Sequence, residues 1–168
     1  YILILAADEI GPVIAIEDML SLMDEGCEFV SATRYKHGGR RLGGSMVSQV
    51  LSRIANSLFH LISRSPFSDL TTGIKMFKKD LFYSLDLKSR NVGWAVTFEM
   101  AIKSQYADIK LGEVPIVSID RLYGGQSTFS VGPWVIEYSR WFLWGIKESF
   151  KKPKAGREGF KIRKPKYD

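Results

Sequence analysis

The sequence predicts an α/β domain, and three observations carry that prediction. Short apolar runs of strand length alternate with longer segments of helical periodicity. The apolar runs end in charged residues, and no repeat or low-complexity tract interrupts the alternation. With 168 residues, 45% hydrophobic and 25% charged, the chain has the size and composition of one globular domain with a real core. Its single cysteine, Cys27, excludes an internal disulfide and Cys-based zinc sites, and reads as an inert buried thiol in a reducing compartment. No apolar stretch approaches the length that spans a bilayer.

Residues 1–7, "YILILAA", suit a strand covered on both faces, as in parallel sheets. The strand stops on Asp8 and Glu9 and turns through Gly11 and Pro12, at the edge where α/β folds bind ligands. A helix follows, with Ile14, Met19, Leu20 and Met23 facing inward, and Gly26 ends it. "CEFVSATRY" is a second strand that ends in Arg34 and the glycine-rich loop "KHGGRRLGG". "SMVSQVLSRIANSLFHLIS" is helical, with Val47, Val50, Leu51, Ile54, Leu58, Phe59 and Ile62 on the predicted inner face. "SPFSDLTTGIKMF" carries turn residues around Asp69 and Gly73 into a short strand. "WAVTFEMAIKSQYA" is an amphipathic helix, and "IKLGEVPIVSI" is a strand ending at "DRLYGGQSTF". Charged groups at several strand ends, Asp8, Arg34, Asp69 and Arg121, mark one edge of the sheet as the site. His37 and His60 lack metal-ligand spacing.

The remaining segments point to a membrane surface. Residues 131–150, "VGPWVIEYSRWFLWGIKESF", place Trp134, Tyr138, Trp141 and Phe142 on one helical stripe, a pattern shared by interfacial helices and by helices packed on their own domain, and the basic residues beyond it favour the interfacial reading. Residues 147–168 hold nine Lys/Arg against three Asp/Glu, which accounts for the whole net charge of +6. This predicts a disordered basic tail beside an anionic membrane. Aromatic and basic residues are not interleaved as single-strand binders require, so no nucleic acid partner is expected.

The ordered motifs resemble the catalytic domains of family 2 glycosyltransferases with the GT-A fold. Within that family the sequence resembles the branch of dolichol-phosphate mannose synthase and the bacterial polyprenyl-phosphate glycosyltransferases. Six segments carry the resemblance over about residues 1–130: "AADEIGP", "SATRYKHGG", "LSRIANSL", "DLTTGIKMF", "GEVPIVSI" and "DRLYGGQSTF". The resemblance implies a mixed sheet flanked by helices. It also implies that Asp8 ligates Mg²⁺ or Mn²⁺ at the donor pyrophosphate, since hard oxygen ligands suit these cations. Arg34, Arg121 and Ser52 would bind phosphates of donor or acceptor, and Asp69 would orient or deprotonate the acceptor. Gly38, Gly39, Thr72, Gly73, Gly125 and Ser127 would shape the supporting loops. Two positions depart from the pattern. Ala6 replaces the first Asp of the acidic motif, and Ser48 stands where the lipid-phosphate branch has Arg.

The expected activity is inverting, metal-dependent transfer of a sugar from a nucleotide-sugar donor to a lipid-linked acceptor, a polyprenyl phosphate or a glycan. It would take place at the cytoplasmic face of a membrane, with the protein attached peripherally. The competing expectation is a non-catalytic membrane-surface binding module that keeps the fold. The family's nucleotide-binding motifs precede the acidic strand, so the sequence reads as the C-terminal portion of a longer enzyme. Residues 1–130 are then a partial catalytic domain, 131–150 an interfacial helix and 151–168 the tail. In this reading the strand that ends in carboxylates is central in the intact sheet, and these residues alone bind no nucleotide with base selectivity.

Overall fold

The computed structural model describes residues 1–5, 13–119, 131–153 and 156–163. It is a mixed α/β structure with one main sheet flanked by helices. The elements in chain order are β1 (Ile2–Ile4), α1 (Ala15–Asp24), β2 (Phe29–Thr33), β3 (Arg40–Leu42), α2 (Met46–Ser63) and β4 (Lys75–Phe77). They continue with α3 (Lys79–Ser84), α4 (Ala95–Gln105), β5 (Leu111–Pro115), β6 (Val117–Ile119), α5 (Val131–Lys151) and β7 (Lys161–Ile162). The main sheet has the order β1-β4-β2-β5-β7, and β3 pairs with β6 in a second, two-stranded sheet.

The centre of the sheet is β2 and β5, parallel and buried at every residue. Side chains alternate between the two faces of a strand, so each face has its own composition. One face, with Val30, Ala32, Ile74, Met76 and Val114, packs on Met19, Leu22 and Met23 of α1. The other begins as an apolar row across three strands, where Phe29 lies opposite Phe77 and Leu111. That row joins Phe59 of α2, Phe98 and Ile102 of α4 and Trp141 of α5 in the larger core. One pleat further along, Ser31 lies opposite Lys75 and Glu113, all fully buried. The same face is therefore oily at one end and polar at the other, and the polar end is where β2 and β5 finish.

Several expectations are corrected. β1 is not a strand covered on both faces within a parallel sheet; it runs antiparallel to β4 at the edge and is only half-buried. In α1, Leu22 is buried in place of Leu20, while Ile14 sits outside on the helix cap. The glycine-rich loop contains β3, held by backbone pairing to β6. Over its described residues 156–163 the tail is not free either: β7 adds to β5 in parallel, and Phe160 packs edge-on to Phe67 with ring centroids 5.4 Å apart. Two of its cations serve the domain, since Lys161 contacts Glu25 at 3.0 Å and Arg163 contacts Asp18 at 3.0 Å.

The two long helices exchange the roles predicted for them. α5 turns its aromatic stripe inward: Trp141 is buried and Phe142 packs edge-on to Phe59. Tyr138 stacks on Phe98 at 4.9 Å and on Trp134 at 5.7 Å. Burial raises the Tyr138 hydroxyl above its ordinary pKa. The proposed interfacial residues Trp134, Tyr138, Trp141 and Phe142 are thus packed against the domain. The opposite correction applies to α2, where Val47, Val50, Leu51, Ile54, Leu58 and Ile62 are exposed, together with Met46 and Leu61. α2 is held by its polar edge, through buried Asn56, Phe59 and Ser63. Ser45 caps the start of α2 by accepting the Ser48 N–H, and Arg64 ends it in the left-handed conformation at φ 53°. Among the described residues no helix is long and apolar enough to cross a membrane.

The seam between α2, α4 and α5 closes on Gly145, where an added Cβ would fall 2.7 Å from both Ile102 and Phe59. Gly145→Ala is expected to lower stability by about 1–3 kcal/mol despite its higher helix propensity. Urea unfolding checks this, and an unchanged midpoint would contradict such tight packing.

Candidate functional site

The site grows from the polar end of the sheet face. Thr33 ends β2, and the chain turns sharply: Gly39 returns so close that a Cβ there would lie 2.4 Å from the Thr33 carbonyl oxygen. Gly38, at φ +97°, makes the reversal possible. This places Arg34 over the turn that carries Asp69. The Asp69 carboxylate has no solvent exposure. Its Oδ2 accepts from the Arg34 backbone N–H at 3.2 Å and from Arg34 Nε at 2.7 Å. Its Oδ1 accepts from Arg34 Nη2 at 3.0 Å, Asn56 Nδ2 at 3.2 Å, Thr71 N at 3.1 Å and Thr71 Oγ1 at 2.9 Å. The Arg34 guanidinium beside it holds the carboxyl below the usual range, against the burial that would raise it.

A line of hydroxyls leads outward from this pair. Arg34 Nη2 also donates to Thr71 Oγ1 at 2.9 Å, Thr71 Oγ1 meets Ser52 Oγ at 2.6 Å, and the Tyr35 hydroxyl donates to Ser52 Oγ at 2.8 Å. Two guanidinium groups lie over the Tyr35 ring, Arg34 at 5.1 Å and Arg53 at 5.3 Å from its centroid. Asn56 completes the join, its Oδ1 accepting the Leu70 N–H at 2.8 Å. Thr72 is buried and accepts the Ile74 N–H at 3.3 Å. Gly73 leaves room for the Trp94 ring, which a Cβ would approach at 3.0 Å.

Beneath the pair sits a second layer that sequence reasoning did not assign. Glu113 accepts from the N–H of Ser68 at 2.8 Å, the hydroxyl of Ser68 at 2.8 Å and the N–H of Asp69 at 3.2 Å. His37 Nε2 is 3.8 Å from Glu113 Oε2. Lys75 Nζ donates to Ser31 Oγ at 2.6 Å from within the sheet. Burial pushes Glu113 up to about 7 and Lys75 down to about 7. The available signal was the alternation of the strands: Lys75 and Glu113 share the in-facing register with Phe77 and Leu111, which places charges where a core residue belongs.

Of the sequence-predicted residues, the structure brings Arg34, Ser52 and Asp69 together, with Gly38, Gly39, Thr72 and Gly73 in the loops around them. Asp8, Arg121, Gly125 and Ser127 lie outside the described residues. Asp69 differs from its expected part. With six protein donors and no exposure, its lone pairs face Arg34, Asn56 and Thr71, so it holds Arg34 in place and is not presented to an acceptor. Among the described residues no group of three or more metal-ligating side chains gathers. The carboxylates of Asp69 and Glu113 are occupied by protein donors and do not fit a divalent cation. No family model matches the chain.

The buried titrating groups make stability depend on pH with a definite sign. A carboxyl raised to about 7 takes up a proton on folding, so Glu113 makes stability fall as pH rises from about 4.5 to about 7. An amine lowered to about 7 gives up a proton on folding, so Lys75 makes stability rise again from about 7 toward 10.5. Asp69 acts only in acid, where its contribution is lost as pH falls through its depressed value. Urea unfolding between pH 5 and pH 9 is expected to show a minimum near pH 7, as these two pKa values dictate. Glu113→Gln should flatten the acid-side descent, and a wild-type profile without that descent would contradict the assignment.

Proposed function

We propose that the protein is a glycosyltransferase that moves a sugar from a nucleotide-sugar donor to a lipid-linked acceptor at the cytoplasmic face of a membrane, with inversion and with Mg²⁺ or Mn²⁺. The observation that supports it best is convergence. Four of the six segments behind the family resemblance are far apart in sequence, yet Arg34, Ser52 with Asn56, Asp69 with Thr71, and Glu113 form one hydrogen-bonded network. Motifs matched by chance have no reason to bond to one another.

The chemistry of this network favours a phosphate acceptor over a sugar hydroxyl. A hydroxyl needs a base to take its proton, whereas a phosphate monoester arrives ionised. Among the described residues, the carboxylates of Asp69 and Glu113 are fully buried and hydrogen-bonded by the protein, so neither is placed to collect that proton. What the site offers instead is fixed positive charge and hydroxyl donors: Arg34 locked by Asp69, then Thr71, Ser52 and Tyr35, with Arg53 above the Tyr35 ring. Where the lipid-phosphate branch has Arg, this chain has Ser48, and Arg41 Nη2 lies 3.4 Å from the Ser48 hydroxyl. A guanidinium is thus brought to that place from β3.

The cation is assigned to Asp8 by resemblance alone; when bound, it would neutralise charge on the departing nucleotide diphosphate. The full-length gene product, given UDP-, GDP- and dTDP-sugars with Mn²⁺ and a polyprenyl phosphate, is expected to release nucleotide in step with glycolipid formation. Asp8→Asn should lower turnover by about 100-fold or more, because an amide offers the cation no charge, while Glu9→Gln keeps most of it. Equal loss at both positions would remove Asp8 from its role. No turnover with any donor would favour the non-catalytic binding module.

A further inference from the structure

We infer that α2 is a membrane-docking helix that lies flat on an anionic bilayer with its apolar face in the lipid. A helix at a domain surface normally turns its apolar stripe to the core and its polar side to water. α2 does the reverse. Its buried edge is Asn56, Phe59 and Ser63, and eight large apolar side chains between Met46 and Ile62 are exposed, Met46 at 79% and Leu61 at 75% among them. Val47, Ile54 and Leu61 mark the middle of this face, and no charged residue interrupts it. An apolar face of this kind is an interaction surface.

Charge decides what covers it. Residues 29–68 contain six Lys/Arg and no Asp or Glu. Three of the six are distributed along the helix: Arg41 against Ser48 in the first turn, Arg53 at the middle and Arg64 at the C-cap. Cations bordering an apolar helix face match a headgroup region of negative charge over an acyl interior. A second copy fits poorly. Two-fold pairing about the centre of α2 would set Arg53 beside its own copy, with no carboxylate in the segment to offset the repulsion. The outer face of α5 is a weaker candidate, because Arg140 and Lys147 interrupt its exposed Ile136 and Leu143.

This inference deepens the lipid-acceptor reading and rests on it for its purpose. Ser52 and Asn56 lie on the side of α2 opposite the lipid-facing one, so docking would set the site about one helix diameter from the acyl boundary. The test needs no sugar donor, and its outcome is separable from that of the turnover assay. The chain is floated with vesicles of phosphatidylcholine alone or with one third phosphatidylglycerol, at low and high salt. Binding is expected with the anionic vesicles, weaker as salt rises, and reduced about tenfold or more in Ile54→Ser/Leu58→Ser, since each buried side chain contributes substantially to partitioning. Both sites are exposed, so the melting temperature of the double variant should match wild type. Leu143→Ser should bind as wild type does. Absence of binding, equal loss in Leu143→Ser, or dimerisation abolished by the α2 variant with vesicle binding intact would each overturn the inference. Binding through α2 without sugar transfer by the full-length product would leave docking standing and remove the transferase reading.

Discussion

Everything at the polar end of this sheet depends on the buried ion pair between Arg34 and Asp69. Removing two charges from water costs several kcal/mol per ion, and attraction offsets that cost only when geometry and further hydrogen bonds are good. Here the pair is bidentate, with contacts of 2.7 and 3.0 Å, and Asn56, Thr71 and two backbone N–H groups occupy the remaining acceptor directions. Because the six donors come from three segments, the β2 end, α2 and the Asp69 turn, the cost can be met only when all three are in place. The β2 end, the α2 edge and the Asp69 turn are therefore positioned jointly, and Glu113 from β5 fixes the backbone under Asp69.

The layer below explains how a parallel core tolerates such a site. Across β4, β2 and β5 the row Phe77, Phe29 and Leu111 is succeeded by the row Lys75, Ser31 and Glu113. The first row makes the core and the second makes a polar floor. With Glu113 and Lys75 both near 7, the floor gains or loses charge at modest cost around neutrality. Ser31 lies between them, accepting from Lys75 and donating its one proton to the Ala32 carbonyl oxygen at 3.0 Å or the Asp69 carbonyl oxygen at 3.3 Å.

The alternation of strands and helices was legible in the sequence, because apolar runs such as 29–33 and the helical periodicity over 46–63 are local signals. Sheet order was not. β1 reads as a central strand from its composition, yet its neighbour is set by β4, which arrives more than seventy residues later. The helices α2 and α5 show the limit of periodicity most plainly. Both have a strong apolar face, and a wheel cannot tell whether that face meets a core or something outside the chain. The aromatic rings of α5 find Phe98 and Phe59, while Leu51 and Ile54 of α2 keep about half of their surface exposed. At the site, Arg34, Ser52 and Asp69 were legible as motif residues. Their mutual bonding, and with it the anchoring part played by Asp69, requires three-dimensional contacts that no spacing encodes.

Whether the pair truly organises the site is best read from a double-mutant cycle on Arg34→Ala, Asp69→Ala and the combined variant, by urea unfolding at pH 8. Strong dependence on the pair predicts a coupling of about 2–3 kcal/mol, with the double variant little worse than either single one. Additive losses, leaving a coupling within about 0.5 kcal/mol of zero, would mean that Arg34 and Asp69 are held independently and would contradict the account.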